Sequence, residues 1–235
     1  MQTFMTDTYF AVVAQSLDNK RLGKQRVEAF QILNTLTGKS NGWANHPATK
    51  MWQGNEWQLA NYGYEICQEW VNRGFKDSLE QRFWKFLSEN RHLHKPKPWW
   101  AKNSLLQLTH QSNLMRKLPD FYRFKVPDNI PYIWPMIEGE CFLMGTIRTG
   151  ANTDMLKNGV VYLTSKQVAE VLGVSPKTIS AYKNRGQMPA PDKQYGRTPL
   201  WKYSTILAWR DNIRTPLSAQ QQYDEQQEMK GKQNG

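Results

Sequence analysis

The stretch DNKRLGKQRVE, residues 18–28, places four cations between two carboxylates, directly after the apolar run YFAVVAQSL at 9–17. On a helical wheel of residues 20–36, Leu22, Ala29, Leu33 and Leu36 share one face, with Phe30 and Ile32 on its flanks. Lys20, Lys24, Glu28 and Gln31 follow one another at i, i+4, i+8 and i+11 on the opposite side. Arg26 breaks the pattern, because it falls inside the apolar arc beside Leu22 and Leu33 and must snorkel or find a buried partner there. Two readings follow. The Lys/Glu stripe is either a salt-bridged, solvent-exposed face, which spacing alone favours, or a working carboxylate held in a phosphate-binding patch.

Working outward, residues 8–135 read as a mainly helical unit. Helical spacing recurs in NEWQLANYGYEICQEWVNRGF (55–75), where Trp57, Ala60, Tyr64, Cys67 and Val71 fall on one stripe and Gly74 is a stop signal. Two further helices are expected over 78–90 and 103–117. The proline-broken segments HKPKPWW (94–100) and VPDNIPYIWP (126–135) read as loops or extended turns. Residues 136–158 show no sustained period and read as a linker, with a short strand at CFLMGTI (141–147). Residues 159–214 form a second, smaller unit, and the Gln-rich polar stretch 215–235 reads as a disordered tail. The fold class expected is therefore mainly α, a compact helical domain at 1–135 followed by a second, small domain at 159–214.

Composition narrows the partner. The 235 residues carry a formal net charge of +11, with ten Trp and 39% hydrophobic residues, enough for a packed core. Residues 1–135 hold 18 Lys and Arg against 11 Asp and Glu, and residues 155–214 hold 10 against 3, so both units are basic. A polyanion is the expected partner, double-stranded DNA first. No apolar run approaches the ~18 residues of a membrane-spanning helix, and the start of the chain has no signal-peptide pattern, so neither a membrane partner nor export is expected. Cys67 and Cys141 form no CxxC pair and read as reduced thiols, consistent with a cytoplasmic, nucleoid-associated protein. His46, His92, His94 and His110 do not combine with cysteines at zinc spacing, so no metal is expected, and no small-molecule cofactor either.

The second unit carries a helix–turn–helix pattern in VYLTSKQVAEVLGVSPKTISAYKNRGQMPAP (161–191). Thr164 or Ser165 caps a first helix with Val168, Ala169 and Leu172 inward, Gly173 permits the turn, and Ser175 caps a second helix that starts at Pro176. That helix buries Ile179 and part of Tyr182. It presents Lys177, Thr178, Ser180, Ala181 and Lys183 outward, with Asn184 and Arg185 at its end, the mix of small polar groups and cations that a recognition helix needs. LTSKQVAEVLGVSPKTISAYKNRG, the turn at Gly196-Arg197 and LWKYSTILAW together resemble the excisionase and MerR-like winged-helix family. The resemblance implies DNA binding through the second helix and Tyr182, with Arg197 on a wing near a phosphate or the minor groove.

Four blocks of the first unit, LDNKRLGKQRVEAFQIL (17–33), GWANHPATKMW (42–52), EWVNRGFKD (69–77) and HQSNLMRKLPDFY (110–122), together resemble the pyrimidine-dimer DNA glycosylase (endonuclease V-like) family. The likeness is greatest to its bacterial branch beginning MQTF, and it runs in order over residues 1 to about 125. It implies a compact helical enzyme that binds duplex DNA, displaces a base, cuts the N-glycosidic bond and can then nick the strand at the abasic sugar, an AP-lyase step. That chemistry needs a neutral amine to attack the anomeric carbon and a carboxylate to stabilise developing positive charge and shuttle a proton. An α-amine suits the first role, because its pKa near ~8 leaves a neutral fraction at neutral pH. By position, Glu28 matches the family's catalytic glutamate, and Lys20, Arg21, Lys24 and Arg26 would surround the extrahelical sugar and its phosphates.

The amine departs from the family pattern. This chain begins Met-Gln, and Gln in second place opposes removal of Met, so the amine is expected on Met1, on Gln2 if Met is removed, or on Thr3 only if two residues are lost. Lys24 or Lys20 is the substitute. His46 in NHP matches a family motif and reads equally as a hydrogen-bonded structural residue, while Arg116 and Lys117 match a basic spot before PDFY that would touch phosphates. Trp99-Trp100 and Tyr132/Trp134 either fill the core or stack on a displaced base. Alternatives from other classes are a non-catalytic DNA-binding regulator that keeps the glycosylase-like fold, and an adaptor that recruits a protein through its helical unit.

Overall fold

The computed structural model describes residues 2–136 and 139–214, and its packing divides the chain into two units, Met1–Leu163 and Thr164–Gly235. Among the described residues the protein is mainly helical, with three strands in the first unit and two in the second. Met1 and the expected tail at 215–235 lie outside the described residues.

The first unit is built round an extended N-terminal segment. Thr3, Phe4, Met5 and Thr6 are all buried. Helix α1 (Phe10–Ser16) ends where Leu17 turns extended, and Asp18 starts α2 (Asn19–Leu36) by accepting the Arg21 N–H. His46 caps α3 (Pro47–Trp52) through Nδ1, with Pro47 in the first turn where its missing N–H costs nothing. Helix α4 (Glu56–Asn72) packs against α1, α2 and α5 (Glu80–Glu89). Asn103 caps α6 (Ser104–Lys117), its Oδ1 accepting the Leu106 N–H at 2.8 Å.

Because α4 has neighbours on more than one side, its buried set is wider than one stripe and differs from the expected one. Leu59, Ala60, Tyr62, Gly63, Ile66 and Cys67 are buried, Trp57 and Tyr64 are half-buried, and Val71 is exposed. Gly63 lets α5 approach closely, since a Cβ there would stand 2.3 Å from the Phe83 ring. Trp52 centres the aromatic core, with the Trp100 ring edge-on at 4.6 Å and the Phe10 and Tyr62 rings at 6.1 and 5.6 Å. Trp100 is buried in this core and Trp134 is buried against the His46, His110 and Tyr132 rings, which leaves neither free to stack on a base.

Strand β1 (Ile133–Pro135) pairs antiparallel with β2 (Glu140–Leu143), in register Ile133 opposite Leu143, and β2 pairs parallel with β3 (Val160–Leu163). The end of the proline-rich segment is thus a strand rather than a loop, and Pro135 sits on β1 opposite Cys141. The stretch read as a linker contributes β2 and a 3-10 turn at Thr153–Asn158 to the first unit, so the division falls between Leu163 and Thr164. Its alternation of single buried residues (Cys141, Leu143, Leu156) is too short to register as periodicity. Both cysteines are buried single thiols, and burial pushes the Cys141 thiol up to about 12, which keeps it unreactive.

In the second unit Thr164 and Gln167 form a reciprocal capping box at the start of α7 (Ser165–Leu172), and Gly173 ends that helix at φ +68°. Ser175 accepts the Thr178 N–H and starts α8 (Pro176–Asn184). Strands β4 (Lys193–Tyr195) and β5 (Thr198–Lys202) form a hairpin closed by Gly196-Arg197, and α9 (Tyr203–Arg214) follows directly. Val168, Ala169, Ile179, Leu200, Trp201, Tyr203 and Ile206 form the core of this unit.

Candidate active site

On the charged face of α2, Lys20, Lys24 and Gln31 are exposed as in a solvated stripe, but the carboxylate among them is not. Glu28 is only 7% exposed, while Lys24, one turn earlier, keeps its ammonium outside with Nζ 3.6 Å from Glu28 Oε1. The N-terminal segment covers this part of α2 and closes over the carboxylate. Three anchors hold that segment: Trp52 Nε1 donates to Thr3 Oγ1 at 3.0 Å, Met5 N–H donates to His110 Nδ1 at 3.0 Å, and Phe4 N–H donates to Gln25 Oε1 at 3.1 Å.

Gln25 carries the connection and was not singled out in the sequence. Its Oε1 also accepts the Tyr62 hydroxyl at 2.7 Å, and its Nε2 donates to the Gln2 carbonyl at 2.7 Å and to Glu28 Oε2 at 3.0 Å. All four amide sites of a buried side chain are thereby used, and the reversed amide would set donor against donor at Phe4. The Gln2 backbone N–H adds a second donor to Glu28 Oε2 at 3.2 Å. The available signal was the i, i+3 spacing of Gln25 and Glu28, which puts an amide beside a carboxylate on one helix face.

A cavity of about 230 Å³ opens over this carboxylate, lined by Gln2, Phe4, Gln25 and Glu28 and by the cations Lys20, Arg21, Lys24 and Lys117. Arg21 is aimed by its neighbours: Nη1 donates to Asp18 Oδ2 at 2.6 Å, and the Tyr122 hydroxyl donates to the same oxygen at 2.5 Å. Burial raises the Asp18 pKa, but those hydrogen bonds outweigh it and hold the carboxyl below its usual range. Partial burial, reinforced by the charges of Arg21, Lys24 and Arg116, lowers the pKa of the Lys117 ammonium. Among the described residues Lys117 has no ion-pair partner. Four cations round one carboxylate leave the cavity net positive, suited to a phosphodiester strand.

The remaining expected residues fall elsewhere. Arg26 does not line the cavity: it pairs with the buried Asp77 carboxylate and lies over the Trp70 ring at 4.4 Å, the partner its place in the apolar arc demanded. His46 stands within electrostatic reach of Glu28, which opposes the burial that lowers its pKa, and the Trp43 ring meets it edge-on at 5.6 Å. Trp43 is itself 56% exposed and left-handed at φ +68°, a strained conformation for a bulky residue. Arg116 turns from the Glu28 cavity to a neighbouring one, donating to Ser112 Oγ at 2.7 Å and to the carbonyls of Asp128 and Ile130.

In the second unit Lys177, Ser180 and Lys183 are exposed along α8, Arg185 is exposed just past its end, and Arg197 is exposed at the tip of the hairpin. Thr178 is half-buried with its hydroxyl 2.8 Å from that of Ser175, and Tyr182 is half-buried against the Trp209 ring at 5.7 Å. Among the described residues no three His, Cys, Asp or Glu side chains gather as metal ligands, and no helix is long and apolar enough to cross a membrane.

The curated proteins and the solved structures yielded no match to the chain. Residues 1–83, which run from the buried N-terminal segment into α5 and include Lys20, Arg21, Lys24, Gln25, Glu28 and His46 but not Arg116 or Lys117, match the model of the family described as pyrimidine dimer DNA glycosylase.

Proposed function

We propose that the first unit is a DNA glycosylase acting on a damaged or modified base, and that the second is a winged helix–turn–helix that holds the enzyme on duplex DNA. One observation carries the catalytic half: a carboxylate buried beneath the N-terminal segment, with two fixed donors on one oxygen, at the floor of a four-cation cavity. The cations would take the phosphates flanking a displaced nucleotide. A neutral amine would attack C1′ as the bond to the base breaks, with the bonding pair leaving on the base nitrogen. Glu28 would stabilise the developing positive charge and carry the proton the amine loses. The imine so formed also opens the route to strand cleavage, as in an AP lyase. The Gln2 N–H at Glu28 supports an α-amine at the start of the chain, on Met1, as the nucleophile, and Lys24 at 3.6 Å is the substitute.

For the second unit, support comes from an α8 whose exposed side carries Lys177, Ser180 and Lys183, with Arg185 just past its end, and from a hairpin whose tip is Arg197. Lys177→Ala is expected to weaken duplex binding about equally across sequences and to reduce the salt dependence by about one counterion. The catalytic assignment is tested by base release from duplexes bearing a pyrimidine dimer or another modified base, under single turnover. Wild type should release base, and Glu28→Gln should lower the rate by roughly 10²-fold or more with duplex affinity kept. Equal rates in the two proteins would remove Glu28 from the mechanism.

A further inference from the structure

A second cavity, of about 470 Å³, lies in the first unit between the end of α6 and the loop after β2, within the size range of small-molecule sites. Its walls are tied together. Met144 N–H donates to the Tyr132 carbonyl at 2.7 Å, Asn129 Nδ2 donates to the Gly150 carbonyl at 2.9 Å, and Asn152 N–H donates to the Asn129 carbonyl at 3.0 Å. Its lining combines apolar groups, among them Pro131, Met144 and the Tyr132 ring, with Arg116, Arg148 and two threonines, Thr146 and Thr149.

The two guanidiniums are close enough for Arg148 to add to the burial that lowers the Arg116 pKa. Asp128 lines the same rim, yet no carboxylate stands within ion-pair distance of either arginine among the described residues, and the Arg148 guanidinium has no hydrogen bond there. Two like charges facing one cavity repel. Asp128 offsets part of this repulsion without pairing with either guanidinium, and an anion between the two arginines removes the rest. Tyr132 links this cavity to the first, because its hydroxyl meets Gln2 Nε2 at 2.5 Å and Gln2 lines the Glu28 cavity.

We propose that this second cavity is a nucleotide subsite, with Arg116 and Arg148 holding the phosphate and the face of Tyr132, Pro131 and Met144 receiving the base. The choice of a nucleotide over other phosphate esters rests on the glycosylase assignment. The nucleotide comes either from the bound strand or free from solution, and the same arginines serve both. The cavity's residues begin at Asn113, beyond the stretch that matches the glycosylase family.

The test is calorimetric titration of the full chain with thymidine 5′-monophosphate, thymidine, inorganic phosphate and tetrathymidylate. It is run on wild type, Arg148→Ala, Arg148→Lys and Glu28→Gln. The monophosphate should bind about tenfold or more tighter than thymidine, Arg148→Ala should erase that margin, Arg148→Lys should restore part of it, and Glu28→Gln should leave it unchanged. Tetrathymidylate binding tighter than the monophosphate, with the same dependence on Arg148, identifies a strand nucleotide, and weaker binding identifies a free one. Equal binding of nucleoside and nucleotide, no saturable binding, or full affinity in Arg148→Ala overturns the proposal. So does loss of affinity in Glu28→Gln, which would put the nucleotide in the first cavity. Because no chemistry is read, binding that persists in a protein without glycosylase activity would overturn the catalytic assignment and leave the subsite standing.

Discussion

At the scale of single residues, Gln25 explains why a carboxylate can sit buried on a basic helix. It joins the N-terminal segment, α4 and Glu28 through four hydrogen bonds, each part of a fixed geometry. Gln25→Leu fills the space but strands the Phe4 N–H and the Tyr62 hydroxyl, and should cost about 3 kcal/mol in urea unfolding. Gln25→Glu separates stability from chemistry. It keeps acceptors for Phe4 and Tyr62 yet sets a second carboxylate 3.0 Å from where Glu28 accepts its bond. The two carboxylates would repel at that distance and displace Glu28, so single-turnover base release should fall about tenfold or more while the urea midpoint drops less than in Gln25→Leu, and an unchanged rate would show that Gln25 does not position Glu28. Arg26 teaches the complementary lesson. Its position in the apolar arc signalled a buried partner, and Asp77 is that partner, at a sequence distance that helical periodicity cannot reach.

At the scale of elements, the helices were legible where an amphipathic stripe meets one neighbour and a cap is written in the chain. Thr164 and Ser175 start helices as expected, whereas the caps at Asp18 and Asn103 and the whole of α3 behind His46, six residues too short to show a stripe, emerge only from the structure. The stripe assigned to α4 shifted because that helix has partners on several sides, which one-sided periodicity does not encode. Of the strands of the first unit only β2 was anticipated, at CFLMGTI; β1 and β3 are three and four residues long, so long-range pairing rather than local propensity decides them. Three cations of the Glu28 cavity, Lys20, Arg21 and Lys24, were readable from α2, whereas Lys117 comes from α6 and the buried N-terminal segment that seals the site, drawn in by Trp52, His110 and Gln25, carries no periodic signal of its own. Packing of α4 on α5 gives a direct check. A methyl at Gly63 would stand 2.3–2.8 Å from the Phe83 ring, so Gly63→Ala should destabilise by about 2 kcal/mol despite its better helix propensity. Gly63→Ala with Phe83→Leu should recover part of that loss, and an unchanged unfolding midpoint in the single variant would contradict the packing described.

At the scale of the whole molecule, a net charge of +11 spread over both units fits a protein that engages one polyanion at two places. Its stability should depend on pH in one direction. Burial drives the His110 pKa down to about 3, with Nδ1 accepting the Met5 N–H, so the folded state keeps this imidazole neutral where the unfolded chain protonates it. The stability it contributes is complete above the unfolded pKa near ~6.5 and is lost as pH falls toward 3, amounting to about 2 kcal/mol at about pH 5. His46 shifts the same way, and Asp18 and Asp77, whose pKa values are lowered, add their losses only at lower pH. Urea unfolding at neutral and mildly acid pH, with nitrogen-15 spectra of the imidazoles, checks this, and titration of His110 near its ordinary pKa would refute it. The central claim, an amine and Glu28 acting together on a deoxyribose, is tested most directly by borohydride capture. The full chain is incubated with duplexes bearing a pyrimidine dimer or an abasic site, reduced, and read by intact mass and peptide mapping. A covalent protein–DNA adduct on the N-terminal amine or Lys24, lost in Glu28→Gln, is the predicted result, and no adduct with any duplex, or undiminished capture by Glu28→Gln, would contradict it.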